Sequence, residues 1–84
     1  MSFTFKGITF THDEGKLSGL RSYLEDAGED IGRDNWEEID RALTFADQNP
    51  SRSGRFDLYI DGRNHEYYVT RNTDGTYYLE PGDY

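Results

Sequence analysis

The stretch from Arg55 to Glu80, RFDLYIDGRNHEYYVTRNTDGTYYLE, limits the fold of this chain more than any other. Phe56, Leu58 and Ile60 alternate with Asp57, Tyr59 and Asp61, the period-2 pattern of a strand with one buried face. Two further runs of the same kind follow, each set off by a turn that contains glycine. Gly62-Arg63 fits a two-residue loop with glycine first, the type II′ pattern. That loop predicts Ile60 opposite His65, Leu58 opposite Tyr67 and Phe56 opposite Val69. The second turn, Asn72 to Thr76, fits a type I turn whose αL position is taken by Gly75 as a G1 bulge. A three-residue loop there pairs Val69 with Leu79 and Arg71 with Tyr77. A two-residue loop at Asp74-Gly75 would set Val69 against Glu80 and turn the apolar face over. The three-residue loop is therefore expected.

In this register the opposite face carries Asp57, Tyr59, Asp61, Glu66, Tyr68, Thr70, Tyr78 and Glu80. Tyr59 and Tyr68 become diagonal neighbours across a strand pair, and so do Tyr68 and Tyr78, close enough for their rings to meet. The apolar core has no need of these three tyrosines.

Upstream, Phe3-Thr4-Phe5 and Ile8-Thr9-Phe10 change parity at Lys6-Gly7. A two-residue hairpin would bring all four apolar side chains to one face, and a single strand bulged at Gly7 would do the same. Residues 2–11 are thus a bulged strand or a loose hairpin on an edge of the meander. A first helix is expected over residues 13–27, capped by Asp13, with Leu17, Leu20, Leu24 and Ala27 as its core stripe and Gly28 as its stop. A second is expected over residues 35–48, with Asp34 and Glu37 as a capping-box-like pair and Trp36, Ile39, Leu43 and Ala46 facing inward. Asn49-Pro50 ends it. The whole reads as a single domain over 1–84, a two-layer α+β fold of order β(β)-α-α-β-β-β. Two helices pack on one face of an antiparallel sheet that ends in a meander over 55–80.

The chain of 84 residues has no cysteine, which removes disulfides and thiolate metal sites. It has no signal-peptide h-region and no apolar run of spanning length, so a cytoplasmic setting is expected. Its net charge of −8 disfavours direct binding to nucleic acid or an anionic membrane and favours a basic protein partner. The charge is uneven. Between Glu25 and Asp40 stand eight acids against Arg33 alone, while the rest of the chain holds nine acids and eight bases.

No nucleophile–base pair, phosphate-cradling glycine loop or metal-ligand spacing is present, so neither enzyme activity nor a cofactor is expected. His12-Asp13-Glu14 is the one local cluster of ligand-type residues, at a junction where acids serve as cap and dipole partners. His65 is read as a sheet residue beside a turn. The candidate partner-binding residues are Glu25, Asp26, Glu29, Asp30, Glu37, Glu38 and Asp40, together with Tyr59, Tyr68 and Tyr78. Glu25 and Asp26 fall in the last turn of the first helix, where the dipole disfavours anions.

This profile (short, single-domain, strongly acidic, without cysteine or a catalytic motif) resembles the small acidic inhibitors of phages and mobile elements, anti-CRISPR proteins in particular. The likeness covers the whole chain at the level of class, and no motif carries it. It implies a non-enzymatic inhibitor, acting in the host cytoplasm, whose carboxylates imitate nucleic acid on a basic channel of a defence complex. The alternative is a structural or assembly module that docks, or forms a homodimer, through the Tyr59/Tyr68/Tyr78 face.

Overall fold

A computed structural model describes residues 1–15, 17–28 and 30–82. The fold is α+β. Strands β1 (Ser2–Phe5) and β2 (Ile8–Thr11) precede helices α1 (Ser18–Ala27) and α2 (Arg33–Gln48), and strands β3 (Gly54–Ile60), β4 (Arg63–Arg71) and β5 (Tyr77–Pro81) close the chain. The five strands form one sheet in the order β1-β2-β5-β4-β3. Of its four strand pairings three are antiparallel as expected, but β2 runs parallel to β5, through Phe10–Tyr77 and Thr11–Tyr78, so the sheet is mixed.

The N-terminal segment is the hairpin rather than the bulged strand. Lys6 and Gly7 both have positive φ, at 52° and 77°, the signature of a type I′ turn. Phe5 pairs with Ile8 and Phe3 with Phe10. The hairpin extends one step further, because the Met1 ammonium donates to the His12 carbonyl and the His12 amide donates back to the Met1 carbonyl, both at 3.0 Å.

In the meander the second turn is as expected. Val69 faces Leu79 and Arg71 faces Tyr77, with Gly75 at φ 91°. The first turn is not. It is formed by Asp61 and Gly62, with φ of 51° and 78°, and it pairs Ile60 with Arg63, Leu58 with His65 and Phe56 with Tyr67. Aspartate is one of the few non-glycine residues that tolerate the left-handed region, and Asp-Gly matches the twist of a type I′ hairpin. The register shifts by two residues, an even number, so every side chain keeps its expected face.

Both helices begin where the capping signals did not place them. Helix α1 starts at Ser18 and not near residue 13, with Leu17 at the N-cap and no side-chain cap. His12 continues the hairpin and Gly15 lies at φ 81°, so residues 12–15 cannot join a helix. Helix α2 starts at Arg33 with Gly32 as N-cap, which puts Asp34 inside the first turn instead of at a capping box. The dipole still favours it there.

One apolar cluster joins the inner sheet face to both helices. Phe3, Phe5, Phe10, Phe56, Leu58, Tyr67, Val69 and Leu79 from the strands meet Leu20, Leu24, Ile39, Ala42 and Leu43 from the helices. Helix α2 also lies along the outer edge of β3. The Glu38 carboxylate accepts the Asp57 amide at 3.3 Å. The Asn35 side chain accepts the Tyr59 amide at 3.1 Å and donates to the Tyr59 carbonyl at 3.3 Å.

Gly54 marks the closest approach. A Cβ there would fall on the Ala42 carbonyl of α2, so the two backbones need glycine between them. Gly54→Ala should cost about 1–3 kcal/mol as an overpacked contact. Chemical denaturation checks this, and an unchanged midpoint would mean that α2 does not sit on this edge.

Candidate functional site

Of the described acids singled out in the sequence, Glu25 and Asp26 end α1, Asp30 lies in the connection that turns the corner into α2, and Glu37, Glu38 and Asp40 follow along the first half of α2. Three groups hold this corner. Ile31 is buried as the anchor of the connection. The Asn35 amide nitrogen lies 3.2 Å from both the Tyr23 hydroxyl and the Ile31 carbonyl, so its two N–H groups are shared among these two acceptors and the Tyr59 carbonyl. Those bonds fix the last turn of α1 against the first turn of α2.

Around the corner, each helical glutamate meets an arginine. Arg21 reaches Glu25 at 2.8 Å and Arg33 reaches Glu37 at 2.8 Å, both at i,i+4 spacing. Arg41 holds both carboxylate oxygens of Glu38 at 3.0 Å. Two of these arginines, Arg21 and Arg41, stand just outside the acidic window, so a charge count over that window overstates the anionic surface. The i,i+4 spacing of Arg21 to Glu25 was the available signal. It also gives Glu25 a partner within the last turn of α1, where the helix dipole opposes it.

Asp26, Asp30 and Asp40 are exposed and make no ion pair among the described residues, and Asp34 joins them because it is not a cap. Glu38 leaves the set. It is half-buried and engaged by both Arg41 and the Asp57 amide. Glu29 lies outside the described residues. The resulting surface is four unpaired aspartates interspersed with three neutralised glutamates.

The tyrosines do not form the expected row. In the observed register Tyr59 faces Asn64, while Tyr68 faces Arg55 and Glu80. That places Tyr59 four residues along the strand from Tyr68, about 13 Å away and out of ring contact. Tyr68 and Tyr78 remain diagonal neighbours. The Tyr78 phenol is hydrogen-bonded to the Asp13 carboxylate, which raises its pKa above the usual tyrosine value. Asp13 thus serves the sheet and not the helix. Tyr77, the inward neighbour, donates to Asp47 at 2.7 Å, and Arg71 approaches the same carboxylate at 3.5 Å.

His12 is buried against Phe3, with ring centroids 5.7 Å apart. Its Nδ1 lies 2.9 Å from the Asp13 carbonyl, which can only accept, so Nδ1 donates there, and the buried Nε2 has no hydrogen-bond partner among the described residues. His65 is half-buried and stacks on Tyr67 at 6.4 Å. Among the described residues no three His, Asp or Glu side chains converge as a metal-binding group. No helix among them is long and apolar enough to cross a membrane. No known protein family, curated protein or solved structure matches this chain.

The Arg41 guanidinium beside Glu38, helped by the Asp57 amide, holds that carboxyl below its ordinary value of 4.5. A carboxyl with a lowered folded-state pKa adds stability above its unfolded pKa and loses it as pH falls through the folded one. Glu38→Gln should therefore destabilise at pH 7 by about 0.2–1 kcal/mol, the range of exposed ion pairs. The gap between variant and parent should close as the pH drops below 4.5. Paired thermal melts at neutral and acid pH measure it, and a gap that persists in acid would assign the loss to packing instead.

Proposed function

We propose that this chain is a non-enzymatic acidic binding protein that blocks the nucleic-acid-binding surface of a basic partner, in the manner of phage-type inhibitors such as anti-CRISPR proteins. One observation carries the reading. Asp26, Asp30, Asp34 and Asp40 stand exposed, without ion pairs among the described residues, from the end of α1 to the middle of α2, and Tyr23 and Asn35 tie down the corner between the two helices. Exposed charges with no fold partner are available to another molecule, and fixed ones lose little freedom on docking. Along α2, Asp34 and Asp40 are separated by about 9 Å of helix axis. Phosphates along one strand of a duplex advance about 3.4 Å each, so the two aspartates span the axial rise of two to three of them.

The alternative of a module assembling through three tyrosines has less support, since Tyr59 is apart from Tyr68 and Tyr78.

The test is a displacement assay. A basic nucleic-acid-binding protein retained by the immobilised chain should release labelled duplex DNA when the free chain is added. Reversal of Asp26, Asp30 and Asp40 to Lys should raise the concentration needed by about tenfold or more, because steering and complementarity both go. Fold stability should hold, since none of the three has an ion pair to lose among the described residues. Displacement by the parent should also weaken with added salt as the screening length falls from about 8 Å at physiological strength to about 3 Å at 1 M. Equal displacement by parent and triple variant would reject the reading.

A further inference from the structure

A groove runs along the exposed side of α1, between that helix and the tip of the β3–β4 hairpin. It has two chambers, of about 370 and 490 Å³, that share Gly19, Ile60 and Asp61 as walls. The first chamber is lined by buried Leu17, Leu20 and Tyr67 and is mainly apolar. The second reaches along α1 to Asp26 and Ala27. Each is large enough for a bulky side chain.

Gly19 keeps the groove open. It lies inside α1 with an ordinary helical φ, and no atom comes within 4 Å of where its Cβ would stand. Neither the backbone nor the packing therefore requires glycine, which is a poor helix residue. Any larger side chain at this position would project between the two chambers. The second relevant feature is charge. Asp26 and Asp61 are exposed, and neither has an ion pair among the described residues. Both line the second chamber.

The groove's wall from Leu17 to Ala27 covers about 15 Å of helix. An extended chain crosses that in four to five residues at about 3.3 Å each. Length, an apolar chamber at one end, and two unpaired carboxylates, Asp61 where the chambers meet and Asp26 farther along, together define an occupant. We propose that the groove seats an extended segment of the partner protein in which one large apolar residue is followed within a few positions by arginine or lysine. The apolar side chain enters the chamber of Leu17, Leu20 and Tyr67. The cation lies between Asp26 and Asp61. The segment's charge rests on the reading of the partner as basic, whereas the groove itself is independent of the aspartates on α2.

Random peptides displayed on phage, selected on the full chain, provide the probe. Enriched peptides should share an apolar residue followed by Arg or Lys. Gly19→Leu should lower their affinity by at least about tenfold while melting at or above the parent temperature, since the leucine meets open space and improves the helix. Gly19→Ala should bind nearly as the parent does. Asp30→Lys with Asp40→Lys should leave the peptides bound, because those residues are not in the groove wall. Several results overturn the proposal. Peptides retained by Gly19→Leu do so outright, and if the Asp30/Asp40 variant loses them they dock on the aspartates instead. Enriched peptides that lack basic residues overturn both the occupant and the basic-partner reading. A parent that sediments as a dimer, with Gly19→Leu a monomer, would give the groove to a second copy of this chain.

Discussion

The fold depends on α2 lying along the edge of β3. At one end Gly54 brings strand and helix backbones into contact at Ala42, and at the other Asn35 bonds both the amide and the carbonyl of Tyr59. Glu38 accepts the Asp57 amide between them. An edge strand otherwise offers unpaired amides and carbonyls to any passing chain. Here side chains of the helix take the part of a sixth strand. The consequence reaches the surface, because a helix seated on one edge by three successive positions has its rotation about its own axis fixed. The outward direction of Asp34, Glu37 and Asp40 follows from that seating. The opposite edge belongs to β1, four residues long and ended by a tight turn, which limits how much foreign chain could pair with it.

Alternation read the sheet well and turn chemistry read it less well. The inner face of Phe56, Leu58, Tyr67, Val69 and Leu79 was legible because the period of two survives any even slip in register. The Asn72–Thr76 loop was legible because Gly75 has a unique place in a G1 bulge. At the first turn, however, glycine could serve as the first central residue of a type II′ turn or as the second of a type I′ turn. Aspartate before it decided the matter, and the resulting slip of two residues separated Tyr59 from Tyr68. Parallel pairing of β2 with β5 left no mark in the sequence, since it involves only Phe10 and Thr11 against Tyr77 and Tyr78. Long-range pairings that short have no periodicity of their own to read.

Capping signals misled for a related reason. Asp13 and Asp34 each stand in front of an apolar stripe, as a cap would, yet each is claimed by something else. Tertiary contact took Asp13 for Tyr78. At α2 the backbone found its turn two residues earlier, at Gly32 with φ 86°, so Asp34 entered the helix. A local rule describes what an isolated segment prefers. In a domain of this size, with a small core, one long-range hydrogen bond of about 1 kcal/mol is enough to overrule it.

The acidic surface was legible as composition and not as arrangement. Counting charges along the chain treats glutamate and aspartate alike, but on these helices they play different parts. A glutamate carboxylate has one more methylene and reaches a guanidinium three or four residues away, as at Glu25, Glu37 and Glu38. An aspartate carboxylate stays close to the helix backbone, and Asp26, Asp34 and Asp40 are left without such partners among the described residues. The helices thus gain support from their own pairs while keeping a residue of short, well-placed charge. Such charges accelerate encounter with a basic surface but contribute little to lifetime once water and salt screen them. Lifetime comes from desolvated apolar contact. On this molecule that contact is available where Gly19 leaves α1 open beside Ile60, adjoining Asp26 at the edge of the acidic corner. The proposed function would then divide attraction and retention between adjacent but separable parts of one surface, with the slow step of release assigned to the groove.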